Sequence, residues 1–347
     1  MIKVLVVDDS ALIRSLLSEI VRSEPDFLLI GAASNAYAAR ELVNQYRPDV
    51  ITLDVEMPKV DGLTFLDKLM KARPTAVVMI SSLTEQGAEV TLRALELGAV
   101  DYLAKPKIDI TRGIEEYRLE IIAKVKTAAQ ARISRKEASQ PKKIDTLRFK
   151  TTEKVIAIGA STGGTEAIKA VLTQLPVDSP GIVITQHMPP GFTKSFAKRL
   201  DGLCRINVLE AQGGERIMPG YAYLAPGDKH LTVVRSGADY RIELTDGPRV
   251  SGHKPSVDVM FQSVAEAVGS NALAVILTGM GRDGALGIRS IAEHGGFTMA
   301  QDEASSLIFG MPQEAIKTGC IKQIVSLDSI SSHLIEVLNQ MGKDYRI

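Results

Sequence analysis

The stretch IAIGASTGGTEAI, Ile156 to Ile168, passes from an apolar strand through small residues into a helix, with Ser161 at the corner. A continuously apolar strand, a tight turn and an amphipathic helix form the repeating unit of a parallel α/β sheet. That strand, KVIAIGA, and GIVITQH and ALAVILTG further along the chain read as buried strands, separated by helical patterns such as TEAIKAVLTQL and SVDVMFQSVAEAV. Such runs fit parallel strands covered on both faces, a Rossmann-like arrangement. The segment GYAYLAPGDKHLTVVRSGADYRIELTD breaks the series and predicts a β-hairpin insertion, with hairpin-like turns at Pro226-Gly227 and Ser236-Gly237.

Upstream, the same alternation occurs a second time. KVLVVDD, FLLIGAA, DVITLDV, AVVMISS and VDYLAKP read as five strands with helices between them, which predicts a second doubly wound parallel sheet, (βα)5 and flavodoxin-like. The amphipathic pattern that begins at Gly113 turns polar, basic and proline-bearing around Glu137 to Lys143, the composition of a linker. The expected organisation is an α/β domain over residues 1–122, a helical and polar linker over 123–152, and a second α/β domain over 153–347.

A chain of 347 residues exceeds what one core usually serves. With 41 basic and 41 acidic residues the net charge is zero, so no field over the whole chain draws it to nucleic acid or an anionic membrane. Cys204 and Cys320 lack metal-site spacing and read as incidental thiols of a reducing compartment. The start MIKVLVVDDS places two aspartates where a signal peptide would stay apolar, and no apolar run approaches the roughly 18 residues of a membrane span. A cytoplasmic monomer is expected.

Ligands of open parallel sheets sit at the carboxyl ends of the strands. In the first half those ends carry Asp8 and Asp9, Asp54, Ser81 and Ser82, and Lys105. One strand-end aspartate is ordinarily a helix cap. Three carboxylates on one rim repel each other unless a cation neutralises them, and all-oxygen ligation favours Mg²⁺. An aspartate beside such a cation can accept a phosphoryl group, with Lys105 balancing the charge.

Three readings compete for Ser161. A dinucleotide fingerprint would need glycine at its position and an acidic residue where GIVITQH ends in Gln186-His187. A nucleophile elbow is satisfied by Gly159-Ala160-Ser161-Thr162-Gly163. A helix cap accounts for the serine and threonine equally well. His187 follows the next strand and Asp283 follows ALAVILTGMGR, so a hydroxyl, an imidazole and a carboxylate can meet over one rim. A serine nucleophile needs a base, and the base an orienting acid. Ser161, His187 and Asp283 fill those roles in an order unlike that of α/β-hydrolases. His230 and His253, on expected loops, are rival imidazoles, and Thr162 could position the hydroxyl or His187. Met280 N–H is the main oxyanion candidate, with the start of the helix after Ser161 as a further source.

The first half resembles the receiver domain of bacterial response regulators through VVDDS, LDVEMPKVDG, the hydroxyl after VVMI, and DYLAKP. The resemblance implies that Asp54 accepts phosphate from a histidine kinase and that Asp9, Asp54 and the Glu56 carbonyl hold Mg²⁺, supported by Asp8. It makes Ser81, Tyr102 and Lys105 the switch residues, with Ser82 a neighbouring alternative to Ser81.

The second half resembles the chemotaxis protein-glutamate methylesterase family through AIGASTGGTEAI, ITQHMPPGFT, LAPGDKHL, HKPSVDVMF, ILTGMGRDGA and AQDEASSLIFGMP. That resemblance implies hydrolysis of glutamyl methyl esters on chemoreceptors with release of methanol, deamidation of receptor glutamines, no cofactor for hydrolysis, and an unphosphorylated receiver that restrains the esterase. The HKPSVD loop is a further candidate for substrate contact. A receiver joined to a module that only binds receptors is the alternative, and turnover separates the two.

Overall fold

The computed structural model describes residues 1–82, 84–105, 113–133 and 153–341. The chain divides into two compact units, Met1–Glu137 and Ala138–Ile347. The polar stretch 134–152 and Pro106 lie outside the described residues.

The first unit carries β1 (Ile2–Val7), α1 (Ala11–Ser23), β2 (Phe27–Ala33), α2 (Ala36–Tyr46), β3 (Val50–Asp54), α3 (Gly62–Ala72), β4 (Ala76–Ser81), α4 (Glu85–Glu96), β5 (Asp101–Ala104) and α5 (Gly113–Ala129). The strands pair in the order β2-β1-β3-β4-β5, every pair parallel. β3 and β4 are buried along their whole length, which is why their sequences carry no alternation. The order reverses between β1 and β3, opening a crevice at their carboxyl ends. α5 packs on this sheet through Ile121, Ile122 and Val125, so the helix that starts before residue 122 continues as part of the first unit to Ala129.

Ser10, Asn35, Asp61 and Thr84 accept backbone N–H bonds at the starts of α1 to α4. Each such cap is worth about 1 kcal/mol. The aspartates that end β1 and β3 are thus relieved of capping.

The second unit carries β6 (Val155–Ala160), α6 (Gly164–Leu172), β7 (Gly181–Gln186), α7 (Phe192–Asp201), β8 (Asn207–Glu210), β9 (Tyr221–Leu224), β10 (His230–Ser236), β11 (Asp239–Thr245), α8 (Val257–Val268), β12 (Ala272–Ile276), α9 (Ala285–Glu293), β13 (Phe297–Gln301), α10 (Met311–Lys317), β14 (Gln323–Val325) and α11 (Ile330–Met341). Seven strands form a parallel sheet in the order β14-β13-β12-β6-β7-β9-β8. β10 and β11 form the expected antiparallel hairpin, turning at Ser236-Gly237. The other expected hairpin turn is absent: β9 pairs in parallel with β7 and β8, not with β10. Gly227 serves a different end, because its N–H donates to Thr193 Oγ1 and its backbone lies against Pro189 and Pro190, just after His187.

α8 bridges the sheet and the hairpin, burying Val257, Met260, Phe261 and Val264. Truncating a fully buried Phe such as Phe261 costs about 3–5 kcal/mol. This core fixes where the N-terminus of α8 points, on which the second site depends.

Candidate functional sites

In the first unit, Asp8 follows β1 and Asp54 ends β3, both fully buried, while Asp9 is exposed. Each offers a carboxylate oxygen within 4.8 Å of the others. Lys105 Nζ lies 2.7 Å from Asp54 Oδ2 and 3.8 Å from Asp8 Oδ2. Asp54 Oδ1 accepts the Glu56 N–H at 3.1 Å, and Asp8 Oδ1 the Ser10 N–H at 2.9 Å. Asp8 Oδ2 is left buried without a hydrogen-bond donor, which suits an oxygen awaiting a hard cation.

Burial, reinforced by the charge of Asp8, outweighs Lys105 and pushes the Asp54 carboxyl up to about 6. Burial likewise raises Asp8, against Lys105. For Lys105 burial works against the charge, and the hydrogen bond to Asp54 overcomes it, raising the pKa. Two acids held above their usual range beside one lysine form a pocket short of positive charge.

Ser81 is buried and its hydroxyl donates to Gly87 O at 3.3 Å. Ser82 lies 3.5 Å from Glu56 Oε1 and 3.2 Å from Thr84 Oγ1. Neither hydroxyl is bonded to Asp54. Tyr102 is buried, with Lys124 Nζ 5.6 Å from its ring centroid.

In the second unit, Ser161 follows β6, His187 follows β7 and Asp283 stands just before α9, all at the carboxyl rim of the sheet. His187 Nε2 and Asp283 Oδ2 are 2.8 Å apart, with both side chains buried. His187 Nδ1 is buried without a partner. The hydroxyl of Ser161 is not bonded to it here, and such contacts often tighten only with substrate in place.

Ser161 is held by its backbone: its N–H donates to Thr278 O at 3.0 Å, and its carbonyl accepts from Gly164 N at 2.7 Å and Gln186 Nε2 at 2.9 Å. Gln186 also donates to His187 O at 3.2 Å, tying the two rim positions together. The capping reading of Ser161 fails, because the N-cap of α6 is Gly163, at φ 79°, with no side-chain cap bond. Thr162 is buried and its carbonyl accepts from Thr278 Oγ1. Gly279, the neighbour of Met280, lies against Ser161 so closely that a Cβ there would stand 2.7 Å from Ser161 Cβ.

Asp283 receives four donors. Besides His187, Ser256 Oγ (2.8 Å), Val257 N (2.7 Å) and Asp258 N (3.1 Å) converge on it from the N-terminus of α8. Burial alone would raise this acid, but the His187 bond and charge and the α8 donors hold it below its ordinary range. Asp258 is pushed up, first by burial and then by the charge of Asp283.

Among the rival imidazoles, His230 is consumed by structure: Nε2 is 2.9 Å from Pro248 O and Nδ1 accepts the Ser256 N–H. His253 stacks directly on His187. Ser256 and Asp258 belong to the HKPSVD loop, expected only as a candidate for substrate contact, and here they hold Asp283. Their signal was the SVDVMF run, a serine cap before an apolar helix, whose orphan N–H groups await an acceptor. Burial raises the Cys204 thiol to about 12, consistent with an unreactive thiol.

The description CheB methylesterase matches residues 156–334, and that of a response regulator receiver domain matches residues 4–116. A Pseudomonas aeruginosa protein-glutamate methylesterase/protein-glutamine glutaminase 2 is 56% identical over 347 residues, covering 100% of this chain and 99% of that protein. The Shewanella oneidensis protein of the same name is 56% identical over 349 residues, 99% of each chain. Among solved structures, the Thermotoga maritima CheB methylesterase catalytic domain aligns with TM-score 0.52 and 39% identity, covering 53% of this chain and 98% of that one. With full-length identity at this level and both halves matched in order, the chain belongs to the CheB methylesterase family and carries a response regulator receiver domain ahead of its esterase domain.

Proposed function

We propose that this chain is a receiver-controlled serine hydrolase that removes methyl esters from protein glutamates and deamidates protein glutamines, with chemoreceptors as substrates in chemotactic adaptation. The observation that carries the chemistry is His187: Asp283 holds Nε2, so the proton resides there and Nδ1 presents a lone pair with no competing partner. Ser161 Oγ adds to the ester carbonyl carbon while its proton passes to His187 Nδ1. The tetrahedral intermediate then expels methoxide, which leaves as methanol with that proton. Water, deprotonated by the same nitrogen, adds to the acyl-enzyme and releases glutamate and Ser161. Replacing methoxide by the amide nitrogen of glutamine gives ammonia by the same steps. Met280 N–H is assigned to the oxyanion, supported by the contact of Gly279 with Ser161.

Asp54 is assigned as the phosphoryl acceptor, with a histidine kinase as the phosphodonor. Asp8, Asp9, Asp54 and the Glu56 carbonyl would hold Mg²⁺, which supplies neutralisation of the phosphoryl oxygens. Lys105 contributes the second positive charge, and Ser81 and Tyr102 respond to the modified aspartate. The same reading has the enzyme act as a monomer on the cytoplasmic helices of receptors, with neither nucleic acid nor membrane insertion; no helix among the described residues is long and apolar enough to cross a membrane.

The test is methanol release from a methylated chemoreceptor fragment by the full chain, with and without a small-molecule phosphodonor and Mg²⁺. Release that rises with phosphodonor, is lost in Ser161→Ala and no longer rises in Asp54→Asn is expected. Folded protein that releases no methanol in either state would overturn the hydrolase, and a rise surviving in Asp54→Asn would overturn the switch.

A further inference from the structure

The candidate base is held by a second imidazole as well as by its acid. The rings of His187 and His253 stack face to face, centroids 3.7 Å apart and planes 9° from parallel. His253 comes from a closed loop, in which Val250 and His253 exchange both backbone hydrogen bonds, at 3.0 and 2.9 Å. A few residues on, Ser256, Val257 and Asp258 grip Asp283. One short segment, 253–258, therefore reaches both members of the His187–Asp283 pair.

The two contacts do different work. A hydrogen bond at Nε2 decides which nitrogen carries the proton, but the ring can still pivot about that bond. The lone pair of Nδ1 lies in the ring plane, so accepting the Ser161 proton requires that plane to be aimed. A flat partner on the ring face sets the plane, as offset and stacked aromatic pairs do elsewhere. Asp283 is 2.8 Å from His187 Nε2, which makes His187 the imidazole oriented as the candidate base.

We propose that His253 is a positioning residue for this reaction: its ring pins the plane of His187 so that Nδ1 faces Ser161. The inference rests on the hydrolase reading above and concerns a residue that reading does not use. It requires flatness and aromaticity at position 253, not a titratable nitrogen.

The experiment compares full-length wild type, Ser161→Ala, His253→Phe and His253→Leu, by methanol release under phosphodonor and by the proton NMR signal of His187 Nε2–H. Leucine fills the space without a flat face, and phenylalanine keeps the face without the nitrogens. His253→Leu is expected to lower kcat about tenfold or more, with KM within about twofold of wild type. His253→Phe is expected to recover most of that loss. The Nε2–H signal should be sharp in wild type and His253→Phe and broadened by exchange in His253→Leu. A His253→Leu enzyme with unchanged kcat, a loss confined to KM, or a His253→Phe enzyme as slow as His253→Leu would overturn the proposal. Failure of the hydrolase reading is distinguished by a wild type no faster than Ser161→Ala, and in that case the NMR comparison alone decides whether His253 orients the ring.

Discussion

Asp258 and Asp283 each cap the helix that carries the other. Asp283, at the start of α9, accepts the Val257 and Asp258 N–H groups of α8, while Asp258 Oδ1 accepts Gly284 N at 2.9 Å and Gly287 N at 2.8 Å, at the start of α9. Each carboxylate sits at a positive helix end, which offsets the repulsion between the two. Asp258→Ala would leave two buried N–H groups unpaired and should lower stability by about 1–3 kcal/mol per group. Asp258→Asn keeps an acceptor oxygen and removes the like charge, so it should lose much less. Thermal unfolding of the full chain checks this, and an alanine variant as stable as wild type would remove the reciprocal cap from the account.

Asp283→Asn keeps one oxygen to accept from Ser256 Oγ and Asp258 N but leaves the Val257 N–H facing an NH₂ group, so it should cost about 1–3 kcal/mol of stability without unfolding the chain. Its NH₂ group would face His187 Nε2 and force the proton onto Nδ1, the wrong nitrogen for a base. By analogy with the serine-protease triad the loss in kcat is about 10³–10⁴-fold. Methanol release at saturating substrate measures it, and a loss under about tenfold would mean that Asp283 does not orient the base.

Gly279→Ala places a methyl group 2.7 Å from Ser161 Cβ and in collision with Met311 Sδ. Displacing the proposed nucleophile, or the Met280 amide assigned to the oxyanion, by even part of an ångström should cut kcat by about tenfold to a hundredfold. A change that displaces the reacting group rather than substrate contacts should leave KM little changed. An enzyme with wild-type kcat would separate Gly279 from the site.

Asp54 gives a pH prediction in the presence of a chelator. Its carboxyl titrates at about 6 when folded against an ordinary value of 3.8, so the folded state holds the proton more tightly than the unfolded state. Its contribution to stability is full below the ordinary value and is lost as pH climbs through about 6. Asp54→Asn does not titrate and should melt several degrees above wild type at neutral pH, the gap narrowing as pH falls toward 4.5. A gap independent of pH would contradict the raised acid.

What could be read from the sequence follows from where each residue sits. β3, β4, β6, β7 and β12 are central strands, buried on both faces, and their apolar runs declare them. β8 and β14, at the two edges of the second sheet, are short and only partly buried, so their sequences carry no comparable run. Pro226-Gly227 misled because a turn dipeptide says nothing about which strand the preceding residues pair with. The rim residues Asp8, Asp54, Lys105, Ser161 and His187 were legible because strand ends mark the rim of a parallel sheet. Ser256 and Asp258 stand out in the sequence only within the HKPSVD loop, as candidates for substrate contact, and His253 also as a rival imidazole, since their roles come from the docking of α8 and its leading loop on Asp283 and His187, a tertiary fact with no local spacing.

The strand order also sets a schedule. In the first sheet most pairs join strands that follow each other directly in the chain, β1 with β2, β3 with β4 and β4 with β5. In the second, β6 must wait for β12, on the far side of the hairpin and α8, before its other edge is closed. The Ser161 turn is tied down by Thr278, just beyond β12. During synthesis the N-terminal unit can therefore complete its sheet while the Ser161 turn is still unanchored. A nascent chain completes its receiver sheet before the turn that carries Ser161, the proposed nucleophile, is anchored.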